Sequence, residues 1–239
     1  MFLDIAAGSE ACLAWKARPD NVSDILPPQT VVRMVRKPQQ ARSILSMARM
    51  LDAADALFAE GGDEALTVEA VVERSSTSVG SFYARFGDRN GLLEAMHERF
   101  LERLGAGSQM AIQAAVRQKT LVGALEVLLT HMFAIVREYR NSARFFVMYR
   151  STDVKLRAQG IQANAFFARM FADLVMRYQK EIAHAKPANA ADVAWRMTFA
   201  MFAQQVMFEN QEVSGVAISD KALVRELARC LTAYLTSAA

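Results

Sequence analysis

The sequence predicts an all-α protein, and three observations support this fold class. The chain has 239 residues, 53% of them hydrophobic, which is enough for a continuous buried core. It contains only 5 prolines and 11 glycines, and alternating strand patterns are nearly absent. Apolar residues instead recur at helical spacing along most of the chain. We therefore expect a three-helix N-terminal domain followed by a larger helical bundle.

Residues 1–38 are predicted to form a loosely structured extension, because prolines and polar residues interrupt any long periodicity there. A misassigned translation start would also account for this segment. The N-terminal domain is expected over residues 39–104, with its first helix from about Ala41 to Glu60 and a stop at Gly61. The apolar face of this helix is predicted to comprise Ile44, Leu45, Ala48, Leu51, Ala54, Leu57 and Phe58.

Two short helices around a tight turn are predicted next. Thr67 precedes apolar residues at one-sided helical spacing, so its hydroxyl should cap a short helix. Residues 75–78 all carry hydroxyls that compete for backbone hydrogen bonds, which favours a turn and a new N-cap at Ser78. A second helix is then expected from Val79 to Phe86, with Val79, Phe82 and Phe86 on its packed side. This layout is typical of a helix-turn-helix.

The small, polar outer face of the second short helix suits a DNA groove. Gly80 and Ser81 would let the backbone approach DNA closely, and the hydroxyls of Ser81 and Tyr83 could bind phosphate. Arg85 could reach either a phosphate or a guanine edge.

A longer helix is predicted to follow the helix-turn-helix. Gly87 should end the second short helix, and Asp88 should cap the next one, which opens with Arg89. At that position a cation and a helix N-terminus could jointly hold a phosphate. We expect this long helix to bend or break near Gly105 and Gly107, between the N-terminal domain and the bundle.

Residues 42–96 resemble the N-terminal DNA-binding domain of TetR-type transcriptional regulators. The positions that carry the resemblance are Arg42, Ala54, Phe58, Gly61, Thr67, Gly80, Tyr83 and Phe86. Three residues depart from the family pattern: Ser76 replaces the usual glycine of the turn, Thr77 a common valine, and Arg89 a usual lysine. The arginine keeps the charge, whereas the serine puts the geometry of the turn in question.

The resemblance implies a homodimer that binds a palindromic double-stranded DNA operator, with recognition helices in successive major grooves roughly 34 Å apart. The residues expected to face bases are Ser78, Val79, Gly80, Ser81 and Arg85. The residues expected to hold phosphates are Thr67, Tyr83 and Arg89.

The net charge of the N-terminal domain is less favourable for DNA binding. Residues 41–104 carry 7 arginines and no lysine against 11 acidic residues, a net charge of −4, so we expect modest non-specific affinity for DNA. Arg33, Arg36 and Lys37 could add minor-groove contacts, or they could belong to a solvated linker.

Residues 105–239 are predicted to form the helical bundle. The expected helices are Leu121–Glu138, Ser142–Arg150, Val154–His184, Ala190–Glu209 and Asp220–Thr236. The last two are unusually apolar, and the TetR resemblance implies that they pair with their copies across the homodimer. Candidate dimerisation residues are Trp195, Phe199, Phe202, Val206, Leu227 and Leu231.

A region of the bundle is rich in phenylalanine and methionine. Such side chains form ordinary core more often than ligand walls, but the resemblance implies a cavity there for an apolar or amphipathic small molecule. Candidate ligand-binding residues are His131, Phe133, Phe145, Phe146, Tyr149, Phe166, Phe167 and Met170. The alternative for His131 is a satisfied core histidine. Arg144 and Arg150 belong either to a solvated basic face or to a site for the carboxylate or phosphate of an anionic effector.

No pattern for catalysis or metal binding is present in the sequence. The three histidines are widely spaced, and Cys12 and Cys230 form neither a metal spacing nor a disulfide framework. We expect no enzymatic activity, no metal and no cofactor. No stretch reaches the roughly 18 apolar residues that span a bilayer, so we expect a cytoplasmic protein without a membrane partner.

Together these features predict a sequence-specific DNA-binding transcriptional regulator, more specifically a repressor, that binds its operator as a homodimer. A small-molecule effector should modulate it. The alternative is a helical small-molecule-binding or adaptor protein without specific DNA affinity.

Overall fold

The computed structural model describes residues 38–146, 153–208 and 213–238. All regular elements within these ranges are helical, which confirms the predicted fold class. In chain order they are α1 (Pro38–Gly61), a 3₁₀ turn (Gly62–Ala65), α2 (Val68–Ser75), α3 (Val79–Phe86), α4 (Arg89–Ala115), α5 (Leu121–Glu138), α6 (Arg140–Arg144), α7 (Val154–Met176), α8 (Pro187–Met207) and α9 (Asp220–Thr236).

Contacts along the chain divide it between Ser43 and Ile44. The unit that begins at Ile44 contains both the N-terminal domain, which here means residues 44–104, and the helices that follow it, which here are called the bundle. Among the described residues, none of the helices combines the length and the apolar character that a membrane span requires.

Several predicted helix limits agree with the structure and others need correction. The limits of α3, α5 and α9 are those predicted. A bend or break was predicted near Gly105 and Gly107; a break is wrong, because α4 continues through both glycines to Ala115, whereas a bend stays a prediction. At Gly107 an added Cβ would lie 2.5 Å from Cδ1 of Ile135, so this glycine allows α4 to pass close to α5.

The predicted helix over residues 154–184 is too long. In the structure α7 ends at Met176, where tighter bonds replace the α-helical pattern: Arg177 N–H donates to Leu174 O and Tyr178 N–H to Val175 O. The helix predicted over residues 142–150 corresponds to the short α6 and the π-helical residues 145–146, and residues 147–152 lie outside the described ranges.

Two apolar clusters hold the molecule together. One lies inside the bundle and is built from α4, α5, α7, α8 and α9. The other joins the N-terminal domain to the bundle, because Phe145, Phe146, Leu156 and Val206 are buried in the same cluster as residues of α1 to α4. Complete burial of one such side chain contributes about 1.5–3 kcal/mol, so the bundle supplies a substantial part of the N-terminal core.

The predicted apolar face of α1 is only partly buried. Ile44 and Leu45 are exposed, whereas Leu51, Ala54 and Phe58 are buried as predicted. Burial in this helix begins at Met50, which the predicted face omitted. The helical period therefore identified the correct side of α1 but not where along the helix the packing starts.

Candidate nucleic-acid interface

The first short helix begins at the predicted cap. The Thr67 hydroxyl accepts a hydrogen bond from the Ala70 N–H at 3.1 Å, and α2 follows. Val71 on its inner side is fully buried. Thr67 therefore has a structural role whatever it contacts outside the protein, since an N-cap hydroxyl is worth about 1 kcal/mol.

The turn between α2 and α3 has the geometry of a glycine turn, although a serine occupies it. Ser76 adopts the left-handed conformation, with φ 51° and ψ 49°. Its N–H donates to Glu73 O and the Thr77 N–H donates to Val72 O, both at 3.1 Å, which is the hydrogen-bond pair of a Schellman motif. Among the described residues Ser76 alone has a positive φ without being glycine. Because the left-handed region costs an L-residue about 1–2 kcal/mol, surrounding contacts must hold this turn.

Part of that support comes from hydroxyl side chains. Ser75 is buried, and its Oγ lies 3.3 Å from Val72 O and 2.7 Å from Thr77 Oγ1. The hydroxyl-rich run thus satisfies backbone and side-chain groups of the turn, as its composition predicted.

The second short helix also begins at its predicted cap. The Ser78 Oγ accepts from the Ser81 N–H at 3.2 Å and donates to Ser81 Oγ at 3.1 Å. Phe82 is fully buried and Phe86 nearly so, which fixes the inner side of α3. Val79 was also expected on that packed side, and this expectation is wrong: its side chain is 49% exposed.

The residues predicted to touch DNA do not all lie on one face of α3. Four adjacent positions are exposed and are here called the outward face of α3: Val79, Gly80, Tyr83 and Ala84. Ser81 and Arg85 are half-buried on another side of the helix, where Arg85 Nη1 donates to Ser81 O at 3.1 Å. The outward face is therefore less polar than the sequence suggested.

The junction between α3 and α4 is unusually close. Gly87 has a φ of 74° and ends α3, and the Asp88 carboxylate accepts from the Gly91 N–H at 2.8 Å to cap α4. A Cβ added at Gly91 would lie only 1.8 Å from the carbonyl oxygen of Phe86. Gly91 therefore sets how α3 sits on α4. Sequence reasoning missed this residue, because a glycine in the first turn of a helix carries no signal of what approaches it.

Arg89 opens α4 as predicted, but its side chain makes contacts within the chain that were not predicted. Its Nε donates to Leu66 O at 2.8 Å, and its Nη2 donates to Asp63 O at 2.7 Å and to Asp63 Oδ1 at 2.5 Å. The guanidinium thus ties the start of α4 to the segment between α1 and α2. Phosphate contact by Arg89 stays a prediction, and it would compete with these internal bonds.

Ion pairs further fix the helices of the N-terminal domain. Arg99 on α4 donates to Asp52 at 2.6 Å and to Asp55 at 2.5 Å, and its side chain is only 15% exposed. Arg103 donates to Asp55 at 3.0 Å. The Arg99–Asp55 pair is largely shielded from solvent and is therefore screened little, so it fixes α1 against α4.

A second, exposed ion pair joins α1 to α2. Both terminal nitrogens of Arg74 lie 2.7 Å from the carboxylate oxygens of Glu60, and this contact holds the pKa of Glu60 below its ordinary value. The charge of Arg74 is thus paired with a carboxylate of the same chain.

His97 joins the N-terminal domain to the bundle. It is buried on α4, with Nδ1 3.0 Å from Oε1 of Gln159 on α7 and its ring 4.7 Å from that of Phe146. Burial lowers the pKa of His97, with smaller opposing contributions from Gln159 and Asp153. Burial therefore favours the neutral imidazole at this position.

A small apolar cavity lies in the bundle between α4, α5, α7 and α8. Its volume is about 10 Å³, enough for one water molecule. The lining residues are Ser108, Ile112, Leu128, Met132, Phe167, Met170, Phe171 and Trp195. Of the predicted ligand-binding residues, the structure thus brings Phe167 and Met170 to one cavity.

The other predicted ligand residues lie elsewhere. His131 is exposed, with Nδ1 2.8 Å from Val127 O, so the alternative of a core histidine is wrong. Phe133 packs edge-on against Phe202 in the bundle core, and Phe166 is half-buried beside Phe167. Phe145 and Phe146 are buried in the cluster shared with the N-terminal domain. Tyr149 and Arg150 lie outside the described residues.

The predicted dimerisation residues mostly face the core of their own subunit. Five of them are buried within the single chain: Trp195, Phe202, Val206, Leu227 and Leu231. Only Phe199, at 43% exposure, is available on the surface. Helical spacing showed that α8 and α9 have apolar faces, but it could not show whether the same chain or a second copy covers them.

No group of histidine, cysteine, aspartate and glutamate within the described ranges could hold a metal ion.

Comparison with known proteins supports the resemblance seen in the sequence. Residues 50–96 match the family model described as bacterial regulatory proteins, tetR family. A regulatory protein of the tetR family from Rhodococcus RHA1 superposes with a TM-score of 0.60 at 17% identity, over 81% of this chain and 98% of that one. The transcriptional regulator FadR from Bacillus subtilis, solved in complex with stearoyl-CoA, superposes with a TM-score of 0.61 at 16% identity, over 78% and 98%.

No curated protein matches the chain at a significant level. The structural matches establish a TetR-like fold, and the family match covers the segment that holds the helix-turn-helix. The predicted resemblance to the DNA-binding domain of TetR-type regulators is thus confirmed over residues 50–96.

Proposed function

We propose that the protein is a homodimeric, sequence-specific transcriptional repressor whose DNA affinity is modulated by a small molecule. The observation that carries this proposal is the arrangement of α3. Phe82 and Phe86 anchor its inner side in the core, while Val79, Gly80, Tyr83 and Ala84 are held outward on an eight-residue helix. An exposed face on a rigidly anchored short helix is what entry into the major groove requires.

Binding as a dimer would place two copies of α3 in successive major grooves of a palindromic operator, roughly 34 Å apart, and would obstruct transcription sterically. The dimer surface we propose differs from the buried residues predicted first. It comprises the exposed apolar and small side chains of α8 and α9: Met197, Phe199, Ala200, Cys230 and Ala233. Small residues at helical spacing let two helices approach closely.

An apolar or amphipathic effector is proposed to enter the bundle at the cavity. Flexible methionines, Met132 and Met170, form part of its wall and could yield to a larger ligand. Trp195 also lines the cavity, and its buried indole N–H has no hydrogen-bond partner within the described residues, so it could donate to an effector. The stearoyl-CoA bound to FadR supports a ligand with a long apolar portion in this fold.

The coupling between cavity and DNA would pass through α4 and the shared apolar cluster. The ring centroids of Phe145 and Phe58 of α1 lie 4.8 Å apart. Phe146 stacks on Phe100 of α4, with 5.8 Å between the ring centroids. A ligand that shifted α4 or the end of α6 would thus move the core beneath α3. In a dimer this would change the separation of the two recognition helices.

Selection of bound DNA from a random pool tests the proposal. The expected result is enrichment of one palindrome whose half-sites lie about one helical turn apart. Size-exclusion chromatography with light scattering should give the mass of two chains. Recovery of DNA without any enriched sequence would overturn the proposal.

One observation favours a second candidate, a helical small-molecule-binding or adaptor protein without specific DNA affinity. The N-terminal segment 41–104 has a net charge of −4, and Arg74, Arg89 and Arg99 are each engaged in internal ion pairs. A gel shift with the DNA upstream of its own gene distinguishes the two candidates, because a specific complex excludes the second.

A further inference from the structure

The outward face of α3 carries almost no hydrogen-bonding chemistry. Of its four residues, Val79 and Ala84 end in methyl groups, Gly80 has no side chain, and only Tyr83 has a polar group. Tyr83 is 51% exposed, and its phenol hydroxyl suits a phosphate, which is the contact predicted for it. The groups left to distinguish bases on this face are therefore apolar.

Three other polar residues at α3, namely Ser78, Ser81 and Arg85, already make hydrogen bonds within this segment. The Ser78 hydroxyl accepts from the Ser81 N–H at 3.2 Å and donates to the Ser81 hydroxyl at 3.1 Å. Arg85 Nη1 donates to Ser81 O at 3.1 Å, and the arginine is half-buried. Base contact by these groups would require existing bonds to be exchanged.

The major groove offers one apolar recognition group, the C5-methyl of thymine. We propose that Val79 recognises this methyl group, so that each operator half-site carries a thymine opposite Val79. The inference rests on the proposed function, because it presupposes that α3 enters the major groove.

The local structure favours such a contact. Val79 is the first residue of α3 and is 49% exposed, so its isopropyl group projects from the end of the helix that enters the groove first. Its β-branched side chain has few rotamers to lose on binding. At the next position a Cβ on Gly80 would meet nothing within 4 Å, so no neighbouring side chain keeps the duplex away.

The test removes single methyl groups from the DNA. Deoxyuridine replaces thymine, position by position, in the operator obtained by selection, which leaves every hydrogen-bonding group of the base in place. For the wild-type protein we expect one symmetric position at which affinity falls roughly fourfold per half-site, as burial of about one methyl group predicts.

Two variants assign that effect to a side chain. Val79→Ala should bind the thymine operator more weakly and should lose its sensitivity to deoxyuridine at that position. The matched control is Val154→Ala, because Val154 is also the first residue of a helix and is 83% exposed in the bundle. This control should behave as wild type at every position.

The outcomes separate the two proposals. If no operator can be selected, the proposed function fails. If an operator is selected but no thymine methyl matters, or if Val79→Ala keeps the full methyl dependence, the regulator remains and the role of Val79 is refuted.

Discussion

The N-terminal domain and the bundle are held together by different kinds of contact. In the N-terminal domain each short helix begins with a side-chain cap, and arginines connect neighbouring elements through carboxylates and carbonyl oxygens. In the bundle a large cluster of leucine, alanine and aromatic side chains joins long helices. Both regions also have an apolar cluster, and side chains cap α5, α7 and α9 of the bundle as well. The N-terminal domain differs because the positions of its helices also depend on a few specific atoms, in the Arg99 ion pairs and at Gly91.

This difference has a consequence for mutation. An apolar cluster tolerates substitutions that conserve side-chain volume, which usually cost less than about 1.5 kcal/mol. A cap, a shielded ion pair or a glycine at a backbone contact has no substitute nearby. We therefore expect small changes in the N-terminal domain to cost more than similar changes in the bundle.

The largest effect is expected for Gly91→Ala. The new methyl group would lie 1.8 Å from Phe86 O, which is impossible without separating α3 from α4. We expect a loss of about 3 kcal/mol in the free energy of unfolding, measured by urea denaturation.

Gly105→Ala is the matched control, because Gly105 lies in the same helix and an added Cβ there meets nothing within 4 Å. It should increase stability by about 0.5–1 kcal/mol through helix propensity. Equal effects of the two substitutions would show that the close contact at Gly91 has no energetic weight.

A smaller effect is expected from breaking the Arg99 ion pairs. Arg99→Ala removes both contacts to Asp52 and Asp55 and leaves Asp55 to Arg103 alone. Because the Arg99 side chain is only 15% exposed, we expect a loss of about 2 kcal/mol in unfolding experiments.

The comparison variant is Arg229→Ala on α9, which removes an exposed pair with Glu226. A surface pair of this kind contributes at most about 0.5 kcal/mol. Similar losses for Arg99→Ala and Arg229→Ala would contradict the distinction between the two regions.

The contact between the two regions should depend on pH through His97. Burial lowers its pKa in the folded protein, so below its ordinary value of 6.5 the unfolded chain binds the proton more readily. Stability should therefore fall as the pH decreases from 6.5 towards the lowered pKa. His97→Gln, which cannot titrate, should reduce this loss in denaturation series between pH 7 and pH 5. An unchanged pH profile would show that His97 does not contribute.

Local features of the sequence were sufficient to predict much of the N-terminal domain. An N-cap depends on a hydroxyl or carboxylate and the few residues after it, and the caps at Thr67, Ser78 and Asp88 were all predicted correctly. The limits of α3 followed from the same signals. The family resemblance gave the arrangement of these helices.

Contacts between distant residues could not be predicted in this way. The carboxylate partners of Arg99 lie 47 and 44 positions away, and nothing in their local sequence distinguishes them from other exposed acids. Periodicity likewise identified the apolar sides of α8 and α9 but placed Trp195 and Phe202 at a dimer interface, although both are buried within the chain. Which surface covers an apolar face is a property of the tertiary fold.

The smallest effect is expected at the turn between α2 and α3, where Ser76 replaces the glycine that is usual in the TetR family pattern. Ser76 has a φ of 51°, a region in which glycine is not strained. Ser76→Gly should therefore raise the free energy of unfolding by about 0.5–1 kcal/mol, less than the full conformational cost because the unfolded chain also gains freedom. Ser76→Ala keeps a Cβ and should give no such gain. If alanine stabilised the protein as much as glycine, the backbone at this turn would not be strained, and the serine would be costly for another reason.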